Sequence, residues 1–483
     1  MTYPARIGLF GIGLAAYWPQ FEGLRERLEG YQRQVEARIV EMGAEVVSAG
    51  LVDDAPKARH AGDLFTRENV DLIVCYVGTY ATSSQVLPAV QRRKVPVLVL
   101  NLQPTPALEY LDTDTAEWLA NCCACCVPEI SNAFARSGIQ FNVVSGLLSP
   151  AAGKANRYFE RAWEEIENWV SAAGVLRSVQ SSRVGFLGHT YPGMLDMYSD
   201  FTMLHAQLGT HIEVLEMDDL QVRVDAASPK EITSKVEEIR NIFDFAEPGR
   251  DTISMPVTDE ALIWSARVAC GLDRLVADFD LQGLTYYYRG LNGNAFEELG
   301  ASLIVGNSLL TARGIPASGE GDLKTCFAMM MMDRFGAGGS YTEFYAMDFV
   351  DEFVLMGHDG PGHVAISDEK PLLRGLGLYH GKRGYGISVE FNVKTGPVTI
   401  LGLSQTAHGR LKLIAAEGES LPGDTMQIGN TNSRILFKHD PATFMDRWCA
   451  EGPTHHVALG VGHQVGRITK LARLLNLELA VIG

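Results

Sequence analysis

Four side chains in the second half of the chain are of types that hold a divalent cation and shuttle a proton beside it. They are Glu320 in SGEGDLKT, Glu343 in GGSYTEFY, His358 in LMGHDG and His456 in GPTHHVAL. Each lies near glycine at the edge of an apolar run, where a side chain can project from a rigid element into a cleft. Two carboxylates and two imidazoles form a mixed oxygen and nitrogen set suited to an ion of intermediate hardness. Manganese is the first expectation and cobalt or magnesium the next; zinc is disfavoured because no thiolate joins the set. Singly, each residue has a plainer reading. Glu320 can be an acid at a helix N-terminus, Glu343 and His358 can be polar residues of an edge and a loop, and His455–His456 can be one exposed and one buried histidine. Glu320 carries the sharper question. It precedes LKTCFAMMMM, a buried-helix pattern, and an unpaired charge entering a core is costly.

These side chains need elements to bring them together. In the first third, RIGLFGIG, AEVVSAGLV, DLIVCYVG and VPVLVLNL alternate with helical patterns such as FEGLRERLEGYQRQVEARIVEM. That alternation predicts βαβ units in a doubly wound parallel sheet, with ligands at the carboxyl ends of the strands. GIGLAA lacks the third glycine of a dinucleotide fingerprint. RVGFLGH restarts the pattern near residue 178 and leads through GLTYYY to the SGEGDLKT octet. From about residue 340, runs such as VDEFVLMGH, GPVTILGLSQ, GRLKLIAAEGE and SRILFKH predict an antiparallel sheet or barrel. The expected fold class is α/β, with two doubly wound parallel-sheet domains followed by a β-rich, antiparallel barrel-like C-terminal domain. The expected boundaries are 1–177 (flavodoxin-like), 178–337 (carrying Glu320) and 338–483 (carrying Glu343, His358 and His456).

Composition narrows the function classes. The chain has 483 residues, 46% hydrophobic and 20% charged, with a net charge of 41 − 58 = −17. That acidity argues against nucleic acid as a partner, since phosphate backbones need a basic face. No run approaches the ~20 uninterrupted apolar residues of a membrane span. Eight cysteines in this length do not make a disulfide scaffold. Four fall in NCCACC (Cys122, Cys123, Cys125, Cys126), with no second pair to complete a zinc site. They read as reduced packing thiols in a cytoplasmic protein.

SGEGDLKT, then the glutamate after a double glycine, VLMGH, FNVKTGP and PTHHVAL stand in the order seen in the L-arabinose isomerase family, within the arabinose/fucose isomerase superfamily, and the chain resembles that family along essentially its whole length. The resemblance implies that Glu320, Glu343, His358 and His456 bind the catalytic metal. It also implies that Glu320 and Glu343 act as acid and base in aldose–ketose isomerisation through a cis-enediolate, with a hydride shift as the other route. It implies a small-molecule sugar as partner and a homo-oligomer, a hexamer, whose first-domain loops complete a neighbour's site. Gln103 in NLQPTP matches part of the family's sugar-contacting stretch, but the histidine expected there is missing. The loop GHTYPGMLDMYSD also departs from the family; His189, Tyr191 and Asp196 are its candidate sugar contacts, and His455 a further one. Asp322 and Lys324 flank Glu320 and are candidates to orient it. The alternatives are a ketose epimerase with the same metal cage and a non-catalytic sugar-binding protein.

Overall fold

The computed structural model describes residues 3–483 except 93, 248, 250–253, 290–292, 377–385, 427 and 429. The chain divides into two compact units, Thr2–Arg177 and Ser178–Gly483.

The first unit holds strands β1 (Arg6–Ile12), β2 (Glu45–Val52), β3 (Leu72–Val77), β4 (Val97–Gln103) and β5 (Phe141–Leu147). They form one parallel sheet in the order β2-β1-β3-β4-β5. The order reverses between β1 and β3, the crevice where such sheets accept ligands. LIVCYV of β3 is buried at every position, as a central strand covered on both faces requires. The edge strand β2 is exposed or half-buried at every position but its last, Val52.

The second unit begins with β6 (Arg183–Gly188) and β7 (His211–Leu215), followed by the short β8 (Asp244–Phe245) and β9 (Ser254–Met255), then β10 (Gly283–Tyr287) and β11 (Ala317–Ser318). β6, β7, β10 and β11 make a four-stranded parallel sheet in the order β11-β10-β6-β7. The remaining strands are β12 (Gly338–Asp348), β13 (Phe353–His358), β14 (Leu372–Leu376), β15 (Gly386–Glu390), β16 (Gly396–Gln405), β17 (Leu411–Leu421), β18 (Thr431–Phe437), β19 (His456–Val461) and β20 (Glu478–Val481). β14 and β15 join β8 and β9 in a small sheet. The order β16-β19-β12-β13-β18-β17 closes on itself through β16–β17, giving an antiparallel barrel to which β20 adds in parallel along β17. The expected class holds: parallel-sheet α/β followed by an antiparallel barrel.

The helix Leu323–Arg334 joins these layers. It packs against β10 on one side and β12, β16 and β19 on the other, so it has no solvent face, and Met329, Met330, Met331 and Met332 are all fully buried. The unbroken apolar run follows from that double burial. Close approach to the barrel depends on Gly460 of β19, where a Cβ would stand 2.6 Å from the Met332 Cε. Because the helix opens directly after Glu320 and Asp322, whatever fixes the helix also fixes the site.

Candidate metal centre

Glu320 sits in the turn between β11 and the buried helix, at φ 60°, where a side chain is strained. Neighbouring bonds hold it there: its carbonyl accepts the Tyr191 N–H at 2.9 Å, and the Gly321 N–H bonds the Tyr286 carbonyl at 3.0 Å. Gly321 (φ 71°) must be glycine, since a Cβ would lie 2.5 Å from the His189 carbonyl oxygen. The Glu320 carboxylate is thereby held with Oε1 4.0 Å from His358 Nε2, while its buried Oε2 has no hydrogen-bond partner.

The barrel supplies the other groups. Glu343 on β12 is directly opposite His456 on β19 in the antiparallel register, which turns both side chains to one face. His358 is the last residue of β13. The Nε2 atoms of His358 and His456 are 3.1 Å apart, and both residues are buried. The ligand atoms fall into two overlapping groups, Glu320 with His358 and His456, and Glu343 with His455 and His456, each within 4.8 Å. His456 belongs to both, and His455 joins the Glu343 group.

These groups fit a divalent cation. The donors are two carboxylates and imidazole nitrogens, and Glu320 offers a buried oxygen with no protein donor. His456 is held in the required tautomer. Its Nδ1 is 3.1 Å from Asp322 Oδ2, a buried carboxylate that also caps the helix by accepting from the Thr325 N–H at 3.0 Å and the Thr325 hydroxyl at 2.7 Å. A carboxylate only accepts, so the His456 proton lies on Nδ1 and Nε2 presents its lone pair. Burial raises the Asp322 carboxyl, but the bonds from His456 and the Thr325 N–H outweigh it and the group is held below its ordinary range. Tyr341, fully buried, puts its hydroxyl 2.7 Å from the same Nδ1, and its ring packs on both imidazoles with centroids 4.4 Å away.

Asp322 and Lys324 therefore do not orient Glu320, as their sequence neighbourhood suggested. Asp322 acts on His456, and Lys324 donates to the Tyr198 carbonyl at 3.1 Å and the Ser199 hydroxyl at 2.9 Å. That bond ties down the 189–200 loop. Asp196 of this loop accepts from the His455 backbone N–H at 3.0 Å and lies 2.6 Å from its Nδ1. The bond and the charge lower the Asp196 carboxyl and raise the His455 imidazole, in both cases against burial. His189 and Tyr191 pack on the Tyr287 ring, 5.0 and 4.9 Å between centroids, and burial pushes the Tyr287 phenol up to about 12. Gln103 belongs to the other unit, at the end of β4, where its Nε2 donates to the Thr105 carbonyl at 2.6 Å. His363 stands 3.7 Å from Asp333, outside both groups. The tyrosines of GLTYYYRG stand near the pocket as the sequence suggested, but sequence reasoning did not single out Asn307. The Tyr286 hydroxyl lies against the Asn307 amide with Asp359 and Glu320 nearby; the signal was the polar pair inside the apolar helix IVGNSLLTA.

Half-buried carboxylates and buried imidazoles come together where a parallel sheet meets a closed barrel, and the matches place the chain among enzymes of the sugar-isomerase class. Residues 199–338 match the family model for the L-arabinose isomerase central domain and residues 338–478 that for the L-arabinose isomerase C-terminal domain. The chain belongs to the L-arabinose isomerase family. An L-arabinose isomerase from Clavibacter sepedonicus is 23% identical over 421 residues, covering 85% of this chain and 79% of that protein. A sulfoquinovose isomerase from Alkalicoccus urumqiensis is 24% identical over 313 residues, 64% of this chain and 66% of that protein. A solved periplasmic solute-binding protein of an ABC transporter from Actinobacillus succinogenes 130z, with bound D-allose, aligns at 12% identity over 65% of this chain and 78% of that one. Its TM-score of 0.15 is below the range of a shared fold. Among the described residues, no helix is long and apolar enough to cross a membrane.

Proposed function

We propose that the chain is a metal-dependent ketol isomerase that interconverts a free aldose and its ketose through an enediolate. The observation that carries this reading is the pair of carboxylates meeting at one shared imidazole, His456. Glu320, Glu343, His358 and His456 are the residues that would hold the ion, manganese first and cobalt or magnesium as substitutes. A divalent cation, when bound, supplies Lewis acidity that lowers the cost of negative charge on the sugar's O1 and O2. The two glutamates carry the proton: one takes it from C2 and its delivery to C1 completes the isomerisation, a role for which a positioned carboxylate is suited. His189, Tyr191, Asp196, His455 and Gln103 are the proposed sugar contacts. The three-part division at residues 177 and 337, a homo-oligomeric state and a cytoplasmic home belong to the same reading.

The test is chelation followed by manganese add-back, with ketose formation measured over a panel of pentoses and hexoses. The panel includes a sulfonated hexose, because two kinds of named relative act on different sugars. Turnover that ignores chelation overturns the metal role. Formation of ketose epimers with no aldose consumed assigns the site to an epimerase instead.

A further inference from the structure

Two neighbouring imidazoles each have Nδ1 held by a carboxylate. In one couple His456 Nδ1 is 3.1 Å from Asp322 Oδ2, and the side chains are 1% and 0% exposed. In the other His455 Nδ1 is 2.6 Å from Asp196 Oδ2, and the side chains are 31% and 33% exposed. The two rings stand 3.8 Å apart between centroids, although consecutive residues of an extended strand point to opposite faces. The chain bends at His455, one residue before β19, and Asp196 Oδ2 accepts from the His455 backbone N–H at 3.0 Å as well as from Nδ1. Two bonds to one oxygen fix the backbone and the ring together. A carboxylate only accepts, so the Nδ1 proton points to Asp196 and Nε2 is the nitrogen left to act. Asp196 is itself braced. Its loop is tied at the start by the Tyr191 N–H on the Glu320 carbonyl at 2.9 Å and at the end by the Lys324 bonds to Tyr198 and Ser199. Across the loop the Gly193 N–H donates to the Tyr198 hydroxyl at 3.1 Å.

We propose that Asp196 is a positioning residue that acts on the substrate through His455: with Nδ1 held, the ring offers Nε2 to one hydroxyl of the sugar beside Glu343. This rests on the reading of the site as a metal-dependent sugar isomerase and adds a division of labour to it. The buried couple, Asp322 with His456, serves the ion. The half-exposed couple, Asp196 with His455, serves the sugar, since a group that meets substrate must be reachable from solvent. Its reach is short enough, because one ligand atom each of Glu343, His455 and His456 lie within 4.8 Å of one another. A group aimed at a particular hydroxyl discriminates strongly, because it is left unpaired when that hydroxyl is missing. The loop GHTYPGMLDMYSD, which supplies Asp196, departs from the family pattern. The contact is therefore a place where this chain selects its own sugar.

The test compares the full chain with Asp196→Ala, His455→Ala and the double variant, all loaded with manganese. Calorimetry reads the binding of alditols that correspond to the aldoses of the panel, and turnover is measured on the aldoses and on analogues that each lack one hydroxyl. Asp196→Ala should weaken alditol binding and lower kcat/KM by up to about 100-fold, as misplacement of a contact does. The double variant should lose no more than His455→Ala alone, because the carboxylate works through the ring. One deoxy analogue should be handled alike by the parent and all three variants, since it lacks the hydroxyl that Nε2 meets. Manganese affinity and melting temperature should stay near those of the parent. Additive losses in the double variant overturn the proposal, and so does an equal loss on every deoxy analogue. Manganese binding weakened about tenfold by His455→Ala also overturns it, by making His455 an ion ligand. Alditol binding needs no turnover, so a parent that isomerises nothing counts against the isomerase reading while the binding cycle still decides on Asp196. A parent that binds no alditol overturns both.

Discussion

The Nε2 atoms of His358 and His456 face each other at 3.1 Å inside a buried cleft. Asp322 lies 3.1 Å from the opposite nitrogen of His456, and the Tyr341 hydroxyl stands 3.0 Å from the Nε2 that faces His358. Two imidazole nitrogens at the separation of His358 and His456 would both reach one divalent cation. The separation thus suits a shared cation as well as it suits a histidine–histidine hydrogen bond. His456→Ala is expected to abolish manganese binding, and His358→Ala to weaken it severely, with both variants still folded. Titration of free manganese by electron paramagnetic resonance reads this directly, and undiminished binding by His456→Ala would remove the residue from the site.

Asp322 should act on that same ion without touching it. Asp322→Asn keeps the volume and still accepts at the helix N-cap, but it offers an amide that can also donate, so the His456 tautomer is no longer specified. Loss of such an outer partner typically weakens metal affinity by about 10–100-fold. The expected result is a weakened manganese Kd with a melting temperature within a few degrees of the parent. A variant that melts much lower but binds manganese normally would make Asp322 a helix cap and nothing more.

Glu320 stands at φ 60°, a backbone conformation that costs a non-glycine residue about 1–2 kcal/mol. Replacing it by alanine and by glycine separates that strain from the loss of the carboxylate. Neither variant should turn over substrate, since a positioned acid–base group is worth about 10²–10⁴-fold. The glycine variant should be the more stable of the two by roughly 1 kcal/mol, after allowance for the greater freedom of unfolded glycine. Equal melting temperatures would show that the turn is not strained by its side chain.

Much of the scaffold was legible in the residues, for reasons that can be named. VLVL and LIVCYV are continuous apolar runs because both faces of a central parallel strand are covered, and the barrel runs are bounded by glycine and polar turns. The same glycines that made Glu320, Glu343, His358 and His456 conspicuous mark where the chain leaves an element. The target of Asp322 was not legible. Sequence proximity pointed it at Glu320, whereas its side chain turns back to cap its own helix and meets His456, a partner 134 positions away. The pairing of His455 with Asp196 spans 259 positions and equally depends on how the loop after β6 folds.

The first unit contains a test that is independent of the site. Asp53 is buried, with Oδ2 accepting from the Trp18 indole N–H at 2.8 Å and Oδ1 from the Lys57 ammonium at 2.5 Å. Burial raises its carboxyl, yet the Lys57 and Trp18 bonds and the Lys57 charge prevail, and the group is held below its ordinary value. A carboxylate whose folded pKa lies below its unfolded pKa, about 3.9 for Asp, stabilises the fold above that value. The contribution fades as pH falls through it toward the folded pKa. Asp53→Asn removes the charge at every pH and weakens the Lys57 bond, at a cost of about 1–3 kcal/mol at neutral pH. Calorimetric melts should accordingly show the variant clearly less stable at pH 7, with the gap closing as the solution is acidified below pH about 4. A gap that stays constant across that range would mean that Asp53 contributes shape rather than charge.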